Sequence, residues 1–367
     1  MNYLYNILNV GVATFILLLP NHLHAQAPKY SNEFLKIGVG ARAHGMGASV
    51  VSSMDQVEST FWNPAGLSQV QGPLEIAAMH SEWFAGIAQY DYIGIAKTLN
   101  TQNHSVLGIS LIRMGIDNIP YTINLIEPDG SFNYDNVSSF SAADYGIFGS
   151  YAQGLRIPNL FVGGSLKIVH RSVGSFGSAW GFGADLGVQY RPGNWRFGLM
   201  ARDLTTTFNS WSFNLTNTEK EVFLLTGNEI PTGSTEITLP SFILGSAYNW
   251  QLGKSLDLLL EFDAEITTDG QRNTLISSSA LNVDPRLGLE LGYNNNVFLR
   301  AGLNNVQRQN FDDDPSWSVQ PNFGLGLRFG RFTVDYALSR LSVQDEAIFS
   351  HIISASLRFK SRKKPVE

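Results

Sequence analysis

From Trp180 to Tyr190 the chain alternates without a break. Trp180, Phe182, Ala184, Leu186, Val188 and Tyr190 are apolar, and Gly181, Gly183, Asp185, Gly187 and Gln189 stand between them. The same period runs through Leu256, Leu258, Leu260 and Phe262 against Asp257, Glu261, Asp263 and Glu265, and through Phe323, Leu325, Leu327 and Phe329 against Gly324, Gly326 and Arg328. A period of two puts successive side chains on opposite sides of an extended backbone, so these stretches are strands with two unlike faces. Soluble sandwiches alternate in the same way. Number, length and connection must decide between the architectures.

About fourteen segments of roughly 9–13 residues can be drawn, near 73–81, 88–98, 104–115, 141–154, 159–171, 178–191, 195–204, 239–249, 255–267, 285–294, 296–304, 319–329, 331–340 and 347–359. Such segments suit a tilted membrane strand and exceed the usual strand of a soluble sheet, and bacterial outer-membrane barrels have even strand numbers. The connections alternate as well. They are short at 156–158, 192–194, 251–254, 294–295 and 330–331, and longer at about 116–140, 172–177, 205–238, 268–284, 305–318 and 341–346. Short turns on one side of a membrane and long loops on the other mark such a barrel, and a sandwich has no reason to keep that phase. The expected fold is all-β, a transmembrane antiparallel barrel over 73–360, with both ends of the chain periplasmic and residues 361–367 a solvated tail.

Three further features agree. Tyr190, Trp195, Tyr248, Trp250, Tyr293, Phe329 and Phe332 fall at the short-turn ends, where an interfacial girdle would lie in contact with outer-membrane lipid. Residues 1–27 read as a signal peptide, with an apolar run from Ile7 to Leu19 and small residues at Ala25 and Ala27. Beyond that run no apolar stretch is long enough for a helical span. The chain has no cysteine, so an exported protein of this size must be stabilised by something other than disulfides. A formal charge of −6 leaves no electrostatic footprint for nucleic acid.

Residues 28–72 stand apart from the strands. Phe34, Leu35, Ile37 and Val39 call for burial, Gly38, Gly40, Gly45 and Gly47 permit tight backbone, and Asn63-Pro64-Ala65-Gly66 is turn chemistry. The strand phase turns Lys167, Asp185, Arg196, Arg202, Glu261, Asp263, Glu265, Arg286, Glu290, Arg300, Arg328 and Asp335 inward. Charges of both signs in a confined lumen need partners, because an isolated buried charge is costly. They either line a charged permeation path or pair with a plug, and a plug made by 28–72 would bring Arg42 as a bidentate partner.

Asn32–Leu67, with SNEFLKIGVGARAHGMG followed by Asp55 and FWNPAGL, resembles the PorV/PorQ family of Bacteroidota outer-membrane proteins, which are similar to the FadL fatty-acid transporters. The resemblance is specific over this segment and architectural elsewhere. It implies a FadL-like barrel whose N-terminal region folds into the lumen as a hatch, with Asn63-Pro64-Ala65 matching the NPA element. Phe34, Gly38, Gly40, Arg42, Gly45, Gly47, Asn63, Pro64 and Gly66 are the expected hatch residues. It also implies a place in the type IX secretion system, where family members bind the C-terminal signal domain of secreted cargo or partners in the translocon and attachment complex. Gly66 stands where PorV tends to carry a basic residue, which points to a paralogue of PorV.

Enzyme chemistry finds no support. Gly38-x-Gly40-x-x-Ala43 mimics a dinucleotide fingerprint but has no alternating βα pattern around it. There is no GxSxG and no HExxH, and His44, His80, His104, His170 and His351 lack ligand spacing. Asp312-Asp313-Asp314 lacks the spaced oxygens of a calcium loop. No cofactor or metal is expected. The long loops carry Tyr121, Phe132, Tyr134, Trp211, Phe213, Phe223, Phe311 and Trp317. Exposed aromatic anchors serve protein-binding surfaces, and packing among the loops accounts for them equally. Two functions stay open: a secretion-system barrel holding cargo or partners on its loops, and a FadL-like transporter of a hydrophobic ligand or lipid, which would need an apolar pocket under the loops.

Overall fold

The computed structural model describes residues 31–127, 129–311, 314–340 and 349–360. The expected signal peptide, the tail 361–367, Asp312 and Asp313 lie outside the described residues.

Seventeen strands form one antiparallel sheet, β1 (Leu74–Trp83), β2 (Ala88–Asn100), β3 (Ser105–Tyr121), β4 (Ser138–Gly154), β5 (Leu160–Val173), β6 (Gly177–Tyr190), β7 (Trp195–Arg202), β8 (Thr207–Phe213), β9 (Thr235–Thr238), β10 (Ser241–Leu252), β11 (Leu256–Thr267), β12 (Ile276–Ser277), β13 (Asn282–Tyr293), β14 (Val297–Phe311), β15 (Asp314–Phe329), β16 (Phe332–Arg340) and β17 (Phe349–Phe359). β7 with β8, and β9 with β10, are single staves interrupted near 203–206 and 239–240, and β12 lies within a connection, which leaves fourteen staves. β1 pairs with both β2 and β17, so the sheet is closed and has no free edge.

Alternation decides which face meets what. On β11, Glu261, Asp263 and Glu265 are buried while Leu260 and Phe262 are exposed; on β6, Asp185 and Gln189 are buried while Trp180, Phe182 and Leu186 are exposed. The exposed outward side chains include Ile93, Leu166, Leu299, Phe323 and Ile353, from staves all around the barrel. An apolar exterior this extensive is far beyond what a water-soluble monomer shows and is the lipid-facing surface of a transmembrane barrel. Trp195 packs edge-on against Tyr248 at 4.9 Å and Tyr248 lies 4.6 Å from Trp250, joining part of the expected girdle at the turn end. His170, on the outward face, lies 4.2 Å from Trp180 and 6.2 Å from Tyr145.

The turn end matches expectation, with connections at 101–104, 155–159, 191–194, 253–255, 294–296 and 330–331. The loop end differs. β3 continues to Tyr121 opposite Ser138, and β14 and β15 pair out to Phe311 and Asp314, so most of 305–318 and the first part of 116–140 are tall hairpin rather than loop. Only residues 174–176 join β5 to β6. Above the bilayer the outward face need not be apolar, so pairing continues where alternation has faded.

Candidate functional site

Residues 31–70 occupy the lumen. They form α1 (Glu33–Lys36), α2 (Ala41–Gly45), α3 (Ser59–Trp62) and a 3-10 turn over Pro64–Gln69, and nearly all of them are buried. Such short helices cannot stand alone, so the barrel wall must hold them.

It does so through backbone groups as much as side chains. The Asp263 carboxylate accepts from the N–H groups of Val50 (2.8 Å) and Val51 (3.0 Å), and Glu261 Oε1 accepts from Ser52 N (2.7 Å) and Ser52 Oγ (2.6 Å). Two acids that looked like lumen charges seeking cations thus accept hydrogen bonds from an irregular stretch of chain. Asn63 Nδ2 donates to Val51 O (2.9 Å) and to Val188 O on β6 (3.2 Å), while its Oδ1 accepts from Ala65 N (3.2 Å) and caps the 3-10 turn that Pro64 begins. Gln189 Nε2 donates to Val51 O (3.1 Å) and Met54 O (3.0 Å).

Arg42 belongs to a network of paired charges on the wall. Its Nε and Nη2 donate to Glu290 at 2.9 and 3.2 Å, Glu290 also accepts from Arg300 Nε at 2.6 Å, and Arg300 Nη1 reaches Asp335 at 2.7 Å. Asp55 adds a looser contact to Arg42 at 3.6 Å. Lys167 is held between Asp185 (2.9 Å) and Asp203 (2.5 Å), and Arg286 pairs with Glu265. Most of the inward charges neutralise one another, whether or not the luminal segment takes part.

Glycines on the inward face make the fit possible. A Cβ at Gly163 would strike Pro64 and Ala65, one at Gly187 would strike Asn63, one at Gly198 would strike Val51, and one at Gly302 would strike Met46 and Gly47. Gly47 itself has φ +61° and lies against the β14 backbone, so it needs both the left-handed conformation and the missing side chain. Phe34 is buried in the apolar cluster, Gly38 abuts Trp62, Gly40 faces Glu58, Gly45 meets Gly324, and Gly66 has no room beside Met54 O.

Two luminal groups stand out electrostatically. Burial and the neighbouring Glu75 carboxylate push the Glu58 carboxyl up to about 8, and its Oε2 has no hydrogen-bond partner among the described residues. Burial drives His44 down to about 4, against the weaker opposing pull of its contact with Gly38 O at 3.2 Å. Both shifts favour the neutral form of the side chain.

The lumen keeps a polar cavity on each side of this segment. The one toward the loops, about 540 Å³, is lined by Lys36, His44, Arg202, Glu265, Arg286, Gln320 and Asn322, among others. The one toward the turns, about 300 Å³, is lined by Arg42, Asp55, Arg196, Glu290, Arg328 and Arg358.

The apolar cavity lies elsewhere, among the outer connections. It measures about 530 Å³ and is lined by Ile123, Val173, Phe176, Trp211, Phe213, Leu215, Phe223 and Pro231, with Glu236 at its polar edge. Trp211 and Phe213 stack at 5.8 Å, Arg171 lies over the Trp211 ring at 5.2 Å, and Trp211 Nε1 is buried without a hydrogen-bond acceptor among the described residues. Arg171 is in turn fixed by Asp144 at 2.9 and 3.2 Å and by Glu236 at 3.1 Å. One wall is α4 (Asn217–Leu225), opened by a capping box in which Thr216 Oγ1 accepts from Glu219 N and Glu219 Oε2 accepts from Thr216 N. Tyr121 donates its hydroxyl to Glu219 Oε1 at 3.0 Å and stacks on Phe176, tying β3 to this wall.

Seven of the eight loop aromatics divide between two settings, and the Phe311 side chain lies outside the described residues. Trp211, Phe213 and Phe223 line one pocket and Tyr121 braces it, whereas Phe132, Tyr134 and Trp317 are exposed apart from it. Tyr121, Trp211, Phe213, Phe311 and Trp317 are strand residues, not loop residues, because the hairpins rise past the bilayer. Sequence reading missed Phe176 and Val173, which enter the pocket because Gly177 pairs with Phe213 across β6 and β8. A phenylalanine in a three-residue turn gives no such signal.

No protein-family model and no curated protein matches this chain. Solved structures do. The monoaromatic hydrocarbon channel CymD aligns with TM-score 0.56 at 14% identity, covering 89% of this chain and 99% of its own. The Pseudomonas putida toluene transporter TodX aligns with TM-score 0.54 at 16% identity, covering 88% and 98%. A Pseudomonas aeruginosa FadL homologue gives 0.50 at 13%, covering 87% and 97%. At these identities the likeness is one of fold: the chain is a closed fourteen-stave antiparallel barrel of FadL-like architecture.

Proposed function

We propose that this chain is a non-enzymatic outer-membrane barrel that admits a hydrophobic small molecule at its loop end, with residues 31–70 as the hatch that keeps the lumen closed to ions. The observation that carries this reading is the apolar cavity of about 530 Å³ walled by Trp211, Phe213 and Phe223, within the ~300–1,000 Å³ typical of small-molecule sites. Its charges are already paired at the edge, so the interior offers apolar surface and one unsatisfied indole N–H. The polar lumen is a poor route for an apolar solute, because entering it would displace water from charges and carboxamides without replacing their hydrogen bonds. The solute therefore leaves the pocket toward the membrane. The fold likeness to structures described as hydrocarbon channels and toluene transporters supports the same reading.

The test is displacement of the fluorescent apolar probe N-phenyl-1-naphthylamine by toluene and by a medium-chain fatty acid. Wild type should bind the probe, and Phe223→Asp should lose it; equal binding by both proteins would sink the assignment.

A second reading rests on Phe132, Tyr134 and Trp317, and on Leu224 and Leu225 at the end of α4, all exposed outside that cavity. They would anchor a type IX secretion partner, either a cargo C-terminal signal domain or a translocon component. Recovery of such a protein from solubilised membranes, with no displacement of the probe by either solute, would favour it.

A further inference from the structure

The cavity on the loop side of the luminal segment is built for a different ligand. We infer that it binds a neutral, polyhydroxylated molecule, namely a short saccharide or the terminal sugars of a glycan.

Seven of its lining residues are carboxamides, Gln307 and Gln320 among them. Three of them form a chain: Gln307 Nε2 donates to Asn305 Oδ1 (2.7 Å), Asn305 Nδ2 to Gln320 Oε1 (3.3 Å), and Gln320 Nε2 to Ser339 Oγ (3.0 Å). Each carboxamide carries two N–H donors and two acceptor lone pairs, so this chain leaves donors and acceptors of both kinds facing the space. Sugar hydroxyls, which donate and accept from one atom, match such a surface.

Two orphaned groups point to a ligand independently. Arg202 and Glu265 line this cavity, and Arg202 Nη2 and Glu265 Oε1 are buried with no hydrogen-bond partner among the described residues. Their residues are 8% and 6% exposed. One is a donor and the other an acceptor, again the pairing a hydroxyl satisfies.

Charge argues against an ion. Lys36 pairs with Glu33 at 3.0 Å, Arg286 with Glu265 and Asp284, and Arg272 with Asp269 and Glu33. Arg202 faces the Phe61 ring at 4.8 Å. The pairs leave little net charge to attract an anion or a cation. An apolar solute would strand the carboxamides. The volume, about 540 Å³, lies within the ~300–1,000 Å³ range of small-molecule sites.

The experiment uses the full chain in a polyoxyethylene detergent, since a sugar-headed detergent would compete. Saturation-transfer NMR and calorimetry are run with neutral trisaccharides (maltotriose, cellotriose and mannotriose), with triglycine and with citrate. At least one trisaccharide should bind, and Gln307→Leu, Gln320→Leu and Arg202→Met should each weaken it about tenfold. Heat-modifiable mobility on gels identifies any variant that fails to fold, and the remaining variants then decide. Absence of trisaccharide binding at millimolar concentration, preference for triglycine or citrate, or binding unchanged in the folded variants would overturn the inference.

Discussion

Glu290→Leu should release the luminal segment while leaving the barrel intact. Glu290 accepts three charge-assisted hydrogen bonds, two from Arg42 and one from Arg300. Arg300 keeps Asp335 in the variant, but among the described residues Arg42 retains only Asp55 at 3.6 Å. Removing one partner of a buried pair costs about 3–5 kcal/mol, because the remaining charge is left uncompensated. That penalty falls on the docked state of residues 31–70, since no ladder hydrogen bond of β13 involves the Glu290 side chain. At 1.4 kcal/mol per factor of ten, the undocked population should rise roughly a hundredfold to a few thousandfold. Planar-bilayer recording should then show frequent openings, and limited proteolysis should cut within 31–70 before any strand. Arg42→Met with Glu290→Leu should recover part of the loss, because no buried cation is stranded at position 42. Equal conductance and protease resistance in Glu290→Leu and wild type would refute the claim that this network holds the segment.

Other expectations follow from the two faces of the wall and the buried acid. Leu289→Arg, on the lipid face, should cost about 2–4 kcal/mol near the midplane, whereas Gly302→Leu should act by collision with Met46 and Gly47; denaturant titration in lipid vesicles reads the first and conductance the second. Equal tolerance at both positions would mean the phase is wrong. For Glu58, the docked-state carboxyl lies near 8 against an ordinary 4.5, so its contribution to stability is fully present below 4.5 and is lost as pH rises to about 8. Openings should become more frequent over that window in wild type and stay flat in Glu58→Gln; a parallel rise in both would exclude Glu58 as the cause. Thr216→Ala should remove the α4 cap at about 0.5–2 kcal/mol and loosen the apolar pocket, detected as weaker probe binding with unchanged barrel unfolding.

Much of this architecture was legible because a barrel wall obeys one rule along its whole length. Leu260 and Phe262 face lipid and Glu261 and Asp263 face the lumen for the same reason, the strict period of two. The rule lapses above the bilayer. Asn118 and Pro120 fall in the stretch drawn as the connection 116–140, yet β3 passes them through a bulge and goes on pairing Ile119 with Phe140. The partners inside the lumen were only half legible. Arg42 announced a bidentate acid, but that Glu261 and Asp263 would cap backbone N–H groups depends on where residues 50–53 come to rest. The apolar pocket was the least legible part, because it is assembled from three connections that the sequence presents separately. Trp211, Phe213 and Phe223 could be named; Phe176 and their meeting point could not.

The most direct test of the account is uptake by whole cells. Labelled toluene should enter cells that produce this chain faster than cells that lack it, and the excess should vanish in Phe223→Asp while the barrel remains folded in the outer membrane. An uptake rate equal to that of cells without the chain, or a wild-type rate in Phe223→Asp, would contradict the claim that the loop pocket is where a hydrophobic molecule enters.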